Sequence, residues 1–271
     1  MSAGLFTLFD DQIVALDELK AAIRAGARRP VLQAPTGFGK TVLAAHIIDG
    51  ALRKGKRVAF VVPRLTLIDQ SFERFVANGI GPEYMGVIQG QHRWRCPNAP
   101  IQICSIQTIA SRGEPKVDVV VVDEAHERYK ATDQWISKAP DVLFVGLTAT
   151  PWSKGMGDVW DELVAPVGLK ELIANGRLAP FRIFASAHPD LSGVRTTAGD
   201  YNELDLAGVM NAKTITADIV STWLEKGERR QTILFAVDRA HAAAVCEEFL
   251  ENDVPAEYID GNTPMEERQA M

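Results

Sequence analysis

The sequence predicts an α/β fold built on a parallel sheet, and three observations carry that prediction. Short β-branched runs alternate with amphipathic stretches along the first half of the chain. Residues 119–122 are four consecutive valines, the pattern of a strand covered on both faces. A glycine-rich turn follows the first strand candidate and opens directly into a helical pattern.

In chain order, strand candidates lie at residues 31–34, 57–62, 101–105, 117–122 and 142–147. Between them run helical stretches at 11–25, 40–53 and 65–76. Strand–helix alternation of this kind gives parallel pairing through right-handed crossovers. Beyond Pro151 the segment 152–168 is rich in glycine and proline and predicts an irregular loop. A helix over 169–175 ends at Gly176, a residue suited to the left-handed position after a helix. A second, shorter α/β pattern follows: strand 181–185, loop 188–200, helix 214–226, strand 232–237, helix 239–252 and strand 256–260. The organisation expected is one domain over 1–178 and a second over 179–271.

Composition limits the function classes. Of 271 residues, 46% are hydrophobic and 24% charged, enough apolar material for a buried core. No run approaches the about 18 apolar residues of a membrane span, and the N-terminus lacks the pattern of a secretory signal, so a cytoplasmic protein is expected. Cys96, Cys104 and Cys246 form no CxxC pair and have no histidine at zinc spacing, so reduced thiols are expected. A net charge of -6 argues against coating nucleic acid by bulk charge, but not against a protein that grips a few phosphates with loops. The basic groups at 28–29, 53–57 and 92–95 read first as solvated surface.

Three segments carry chemistry. Residues 34–41, Ala-Pro-Thr-Gly-Phe-Gly-Lys-Thr, meet the GxxxxGK[ST] form except that Ala34 stands at the first glycine. Thr36, Gly37, Phe38 and Gly39 would turn backbone N–H groups onto a phosphate, and the helix dipole would favour the anion. Lys40 would reach the β- and γ-phosphates, and Thr41 would ligate Mg2+. The run Asp123-Glu124-Ala125-His126 follows the buried valines at the ligand edge of an open sheet. There Asp123 suits magnesium, and Glu124 suits orienting and deprotonating a water. Taken alone, the same run also suits a helix N-terminus with favourable acids. The third segment, Thr148-Ala149-Thr150, stands at another strand end, where its hydroxyls could couple the phosphate site to a second surface.

The ordered set resembles superfamily 2 helicases of the DEAD/DEAH-box type, and within them a RadD-like and phage UvsW-like group. Residues 34–41 resemble helicase motif I, 62–70 motif Ia, 105–108 motif Ib, 123–126 motif II and 148–150 motif III, and 232–241 with 258–268 resemble the start of the second domain. The resemblance implies a RecA-like P-loop NTPase domain followed by a partial second RecA-like domain. It implies ATP and Mg2+ as ligands, with Lys40, Asp123, Glu124 and His126 catalytic, and His126, Thr148 and Thr150 in coupling. It implies Gln12 as the adenine reader, although the tyrosine that often precedes this glutamine is missing in Phe9-Asp10-Asp11-Gln12. Nucleic acid, DNA before RNA, would lie along Pro63, Arg64 and Gln70, and along Ser105, Gln107 and Thr108. No segment up to Met271 matches the later arginine-bearing motifs V and VI, so a partner chain or a further C-terminal segment is expected to complete the second domain. The expected activity is an ATP-driven helicase or translocase. The alternatives are a nucleotide- and nucleic-acid-binding module with little turnover, and a different P-loop enzyme such as a GTPase or kinase. The last lacks a guanine-reading Asn-Lys-x-Asp.

Overall fold

The computed structural model describes residues 5–184, 191–197, 200–210 and 213–270. The chain divides into two compact units, Met1–Pro180 and Phe181–Met271.

In the first unit the elements are α1 (Asp10–Arg24), β1 (Pro30–Gln33), α2 (Lys40–Leu52), β2 (Val58–Val62), α3 (Leu67–Ala77), β3 (Met85–Val87), β4 (Ile101–Ser105), α4 (Ile106–Arg112), β5 (Val119–Asp123), α5 (Lys130–Lys138), β6 (Leu143–Thr148), β7 (Glu162–Val164) and α6 (Leu169–Ala174). Seven strands form one sheet in the order β3-β4-β2-β5-β6-β1-β7, and every pair is parallel. The central strands are buried on both faces, as the valine run requires. One apolar layer gathers Leu16, Leu43, Ile48, Phe60, Phe75 and Val121. The layer on the other face gathers Ala59, Val61, Val120, Trp135 and Phe144. A parallel sheet sends all its strand ends to one edge, so the turns after β1, β2, β4, β5 and β6 share that edge.

Sequence periodicity passed over β3 and β7. Each has three residues, too few for alternation to register. Edge strand β3 is held by a loop that folds back on it. The Val87 N–H donates to the Trp94 carbonyl, and the buried Gln102 amide donates to the carbonyls of Cys96, Pro97 and Ala99. Within 92–95, His92 and Trp94 join this packing, while Arg93 and Arg95 are exposed as expected. The Trp94 ring stacks on Phe72 at 3.9 Å, His92 bonds to Asp69, and Arg93 pairs with Glu73 and Asp69.

The second unit departs from expectation. It contains a two-residue antiparallel ribbon, β8 (Thr196–Thr197) with β9 (Asp200–Tyr201), and helices α7 (Glu203–Met210), α8 (Lys213–Lys226), α9 (Arg239–Glu251) and α10 (Met265–Ala270). The strands predicted at 232–237 and 256–260 are not strands, and neither is the described part, 181–184, of the one predicted at 181–185; Ala185 lies outside the described residues. Residues 188–190 and 198–199 of the predicted 188–200 loop also lie outside them, and its described remainder carries the ribbon. A strand needs a neighbour to take its N–H and C=O groups. Residues 232–236 are irregular backbone without one, and Ile233 and Phe235 are 82% and 92% exposed while Leu234, at 39%, is less so. The apolar run is that of a strand, but among the described residues no partner strand is supplied. The unit's small core lies between the helices, where Val220, Val245 and Phe249 pack with Trp223 edge-on to Phe249.

Candidate nucleotide site

The turn between β1 and α2 is built for an anion. Gly37 and Gly39 have φ of 83° and 96°, which L side chains adopt only under strain. A Cβ on Gly39 would stand 2.7 Å from Nε2 of Gln12, and one on Gly37 would stand 2.6 Å from the Leu178 side chain. The Lys40 and Thr41 N–H groups that open α2 have no intrahelical acceptor, and Gly39 caps the helix without a side chain in the way. Phe38 is buried and anchors the loop from below, while Thr36 and Gly37 are exposed at its mouth.

The order β1-β6-β5 brings the acidic run beside this turn. Lys40 Nζ lies 2.6 Å from Oε1 of Glu124, 84 residues away, and both side chains are mostly buried. Glu124 has φ of 49°, a strained value for a residue with a side chain, and its N–H donates to Asp123 Oδ1 at 3.0 Å. Burial holds the Asp123 carboxyl above its ordinary range, the Glu124 charge pushes the same way, and Lys40 opposes both. Such a carboxylate could hold a divalent cation. His126 Nδ1 lies 2.8 Å from the Thr148 hydroxyl and 3.4 Å from Oε2 of Glu124. The buried Thr148 Oγ1 also accepts the Thr150 N–H at 3.1 Å, which ties the His126 contact to the backbone after β6. Lys40, Glu124, His126 and Thr148 are thus one connected polar network. Thr150 joins it through its backbone, and its side chain is exposed.

Gln12 sits against the phosphate loop. It is 3% exposed, its Oε1 accepts the Phe9 N–H, and its Nε2 donates to the Phe38 carbonyl at 2.7 Å. Each end of the amide makes one backbone bond, so Gln12 ties α1 to the phosphate loop and keeps one N–H and one lone pair. Beside it sit three groups that sequence reasoning passed over. Phe9 is 57% exposed, the Arg177 guanidinium lies 3.3 Å from its ring centre, and Arg177 Nε donates to Asp11 Oδ2 at 3.0 Å. The separation of 166 residues between Asp11 and Arg177 left no local signal.

Of the expected strand contacts, Arg64 and Gln70 are exposed and Pro63 is buried. Ser105 and Thr108 do not present hydroxyls to solvent. Ser105 Oγ accepts the Thr108 N–H and bonds the Thr108 hydroxyl, capping α4. That face is left with the exposed Gln107 and the first-turn N–H groups of α4. Cys104 is buried, with its thiol pushed up to about 12 by desolvation, and all three cysteines are free. Among the described residues there is no cluster of metal-ligating side chains, and no helix is long and apolar enough to cross a membrane.

Comparison with known proteins agrees with this geometry. A family model described as the type III restriction enzyme, res subunit, matches residues 5–153. A 51.5 kDa protein of a Lactococcus phage (isolate 7-9) is 29% identical over 247 residues, covering 89% of this chain and 51% of the phage protein. The ATP-dependent DNA helicase Hel308 of Aeropyrum pernix is 25% identical over 264 residues, covering 90% of this chain and 33% of the helicase. This chain therefore spans about half the length of the phage relative and less of the archaeal one. Among solved structures, a nuclease-deletion mutant of the type ISP restriction-modification enzyme LlaGI, in complex with a DNA substrate mimic, superposes with a TM-score of 0.50 at 15% identity. That match covers 90% of this chain and 26% of the enzyme, and supports the fold. These matches do not single out a RadD-like subgroup. With the family model spanning more than half of its residues, the chain belongs to the type III restriction enzyme res-subunit family, within the superfamily 2 helicases.

Proposed function

We propose that this chain is the ATP-binding front part of a motor that moves on nucleic acid, DNA before RNA. In this reading residues 1–178 are the RecA-like core and 179–271 part of a second RecA-like domain. The observation that carries it is the meeting of Lys40 and Glu124 at 2.6 Å beneath a left-handed glycine turn, because it joins a phosphate cradle to a candidate base.

ATP would lay its phosphates on the N–H groups of the 36–41 turn. Lys40 would leave Glu124 for the β- and γ-phosphates, and the freed carboxylate would accept a proton from the attacking water. The water oxygen bonds to the γ-phosphorus, the bond to the β,γ-bridging oxygen breaks, and ADP and phosphate leave. Thr41 and Asp123 would hold Mg2+, which supplies charge neutralisation on the phosphates. His126 and Thr148 contact Glu124 and the turn at Thr150, so they suit passing the state of the γ-phosphate to the strand-binding edge. There Arg64, Gln70, Gln107 and the start of α4 would grip the backbone without reading bases. Free thiols and the lack of a membrane-crossing helix among the described residues suit a cytoplasmic setting.

A second reading, a binding module with little turnover, draws on the second unit, whose described residues form no parallel sheet. ATP turnover with and without single-stranded DNA separates the two. The motor reading expects strand-stimulated turnover that Lys40→Ala abolishes. It also expects weaker strand binding in Arg64→Ala, with the salt slope reduced by about one. Turnover indifferent to DNA, with Lys40-dependent binding retained, would favour the module.

A further inference from the structure

We infer that the tip Trp152-Ser153-Lys154 is a further strand contact, in which the Trp152 ring stacks on a nucleobase while Ser153 and Lys154 take the adjoining phosphate. The inference rests on the nucleic-acid reading proposed above. It adds a side chain that touches a base, where Arg64, Gln70 and Gln107 grip backbone only.

Three observations support it. First, the tip is pushed out of the protein. Trp152 is 71% exposed, and Ser153 and Lys154 are exposed with it, while Pro151 before them and Met156 after them are buried. Of the five tryptophans, Trp135 and Trp160 are buried and Trp94 and Trp223 half-buried, so the Trp152 ring is the most open of them. A ring of that size left in water gains from being covered. Second, the tip is held in place. The Met156 N–H donates to the Ser153 carbonyl at 3.3 Å, and Arg128 donates to the Gly155 carbonyl at 3.0 Å while anchored to Asp133 at 2.7 Å. Gly155 has φ of 81°, and a Cβ there would collide with Arg128 Nη1, so the turn and its latch are built around a glycine. A ring fixed in advance loses little freedom on binding. Third, the tip stands at the proposed strand-binding edge and adjoins the nucleotide site. It follows β6, whose end shares that edge with the ends of β2, β4 and β5. Two residues before it, the Thr150 N–H donates to Thr148 Oγ1, which meets His126 Nδ1 at 2.8 Å, and His126 lies 3.4 Å from Glu124.

A ring, a hydroxyl and an ammonium in three successive residues match the parts of one nucleotide. The indole offers a flat face that suits any base, so stacking adds affinity without reading sequence. The hydroxyl and ammonium suit phosphate oxygens. A base can reach the ring only when it is unstacked, so the tip favours a single strand. Through Thr148 and His126, the grip on that base would follow the state of the γ-phosphate.

The test is binding of a labelled oligo(dT) and of an abasic oligonucleotide of equal length, read by fluorescence anisotropy. Wild type should prefer oligo(dT). Trp152→Ala should weaken oligo(dT) binding about 5–30-fold, leave the abasic strand within about twofold and leave the salt slope unchanged. Trp152→Phe should keep most of the affinity. Lys154→Ala should weaken both strands alike and lower the salt slope by about 0.7. Oligo(dT) should also quench wild-type tryptophan emission, and Trp152→Phe should lose most of that quench. Equal oligo(dT) affinity in wild type and Trp152→Ala overturns the inference. So does an equal loss on the abasic strand, which marks a structural role. A Trp152→Ala protein that binds oligo(dT) normally but loses strand-stimulated turnover assigns the ring to a protein face and overturns it as well. If Trp152→Ala does not fold, equal binding of the two strands by wild type still overturns it. If Arg64→Ala weakens strand binding and Trp152→Ala does not, only this inference falls. If wild type binds neither strand, the nucleic-acid reading falls and takes this inference with it.

Discussion

Replacing Glu124 with glutamine should abolish hydrolysis and at the same time tighten ATP binding. In the free protein Lys40 is engaged by Glu124 at 2.6 Å, with side chains 21% and 30% exposed. To bind ATP, Lys40 must exchange that carboxylate for phosphate oxygens. A charge-assisted hydrogen bond is worth about 1.5–3 kcal/mol, and partial exposure reduces it to about 1–2 kcal/mol here. The neutral amide keeps the shape and a weaker bond, so most of that competition disappears. The carboxylate would also stand near the γ-phosphate, and its removal relieves repulsion in the bound state. Both effects favour binding, giving an affinity gain of about 5–30-fold. Turnover needs a base that the amide cannot supply. Titration of a fluorescent ATP analogue, with phosphate release measured on the same preparation, checks both halves. Weaker binding in Glu124→Gln would refute the competition, and unchanged turnover would move the base elsewhere.

Other perturbations test the same frame. Gly39→Ala forces a side chain into φ of 96° and within 2.7 Å of the Gln12 amide. It should cost about 1–3 kcal/mol of stability and most of the ATP affinity, read by thermal melting and titration. Asp123→Asn should raise the melting temperature of the nucleotide-free protein at neutral pH. The Asp123 carboxyl is held above its ordinary range by burial. The folded state therefore keeps the proton longer than the unfolded state, and stability falls as pH rises from the unfolded value through the folded one. The asparagine variant should lose that slope, and melting curves collected across acid to neutral pH would show it. In the second unit, amides of residues 232–236 should exchange within the fastest class while those of α9 are protected. Strong protection throughout 232–260 in a monomer would show that the segment finds partners after all.

What was legible in the sequence followed from how local each signal is. The valine run, the glycine turn and the acid pair each sit within a few residues, so each is legible locally, although the valine strand closes its bonds on β2 and β6. Strand ends 84 residues apart met because a parallel sheet sends every such turn to one edge, a rule of topology and not of any single residue. Ser105 and Thr108 show the opposite case. A hydroxyl at a helix start suits a phosphate and suits a cap equally well, and only burial decides. Gln12 is similar, since its residue type marks the neighbourhood, while its bonds to Phe9 and Phe38 come from how the phosphate loop folds back on α1.

The second unit shows why pattern alone cannot make a strand. Helix α9 formed as expected, since its hydrogen bonds close within itself and Asp238 caps it by accepting the His241 N–H at 2.7 Å. Residues 232–236 have equal local merit, with a continuous apolar run after Thr232, but their bonds must close on another segment. The two cases share one stretch of chain and differ in where their acceptors lie. The Phe235 ring stays 92% exposed because burying it requires a face that the described residues of this unit do not build. An exposed, unpaired apolar segment of this kind is a site for added pairing, whether from further chain or from a second copy. A peptide that restores the missing neighbour should slow exchange at 232–236 and quench the accessibility of Phe235 together, since one event supplies both the backbone partners and the face.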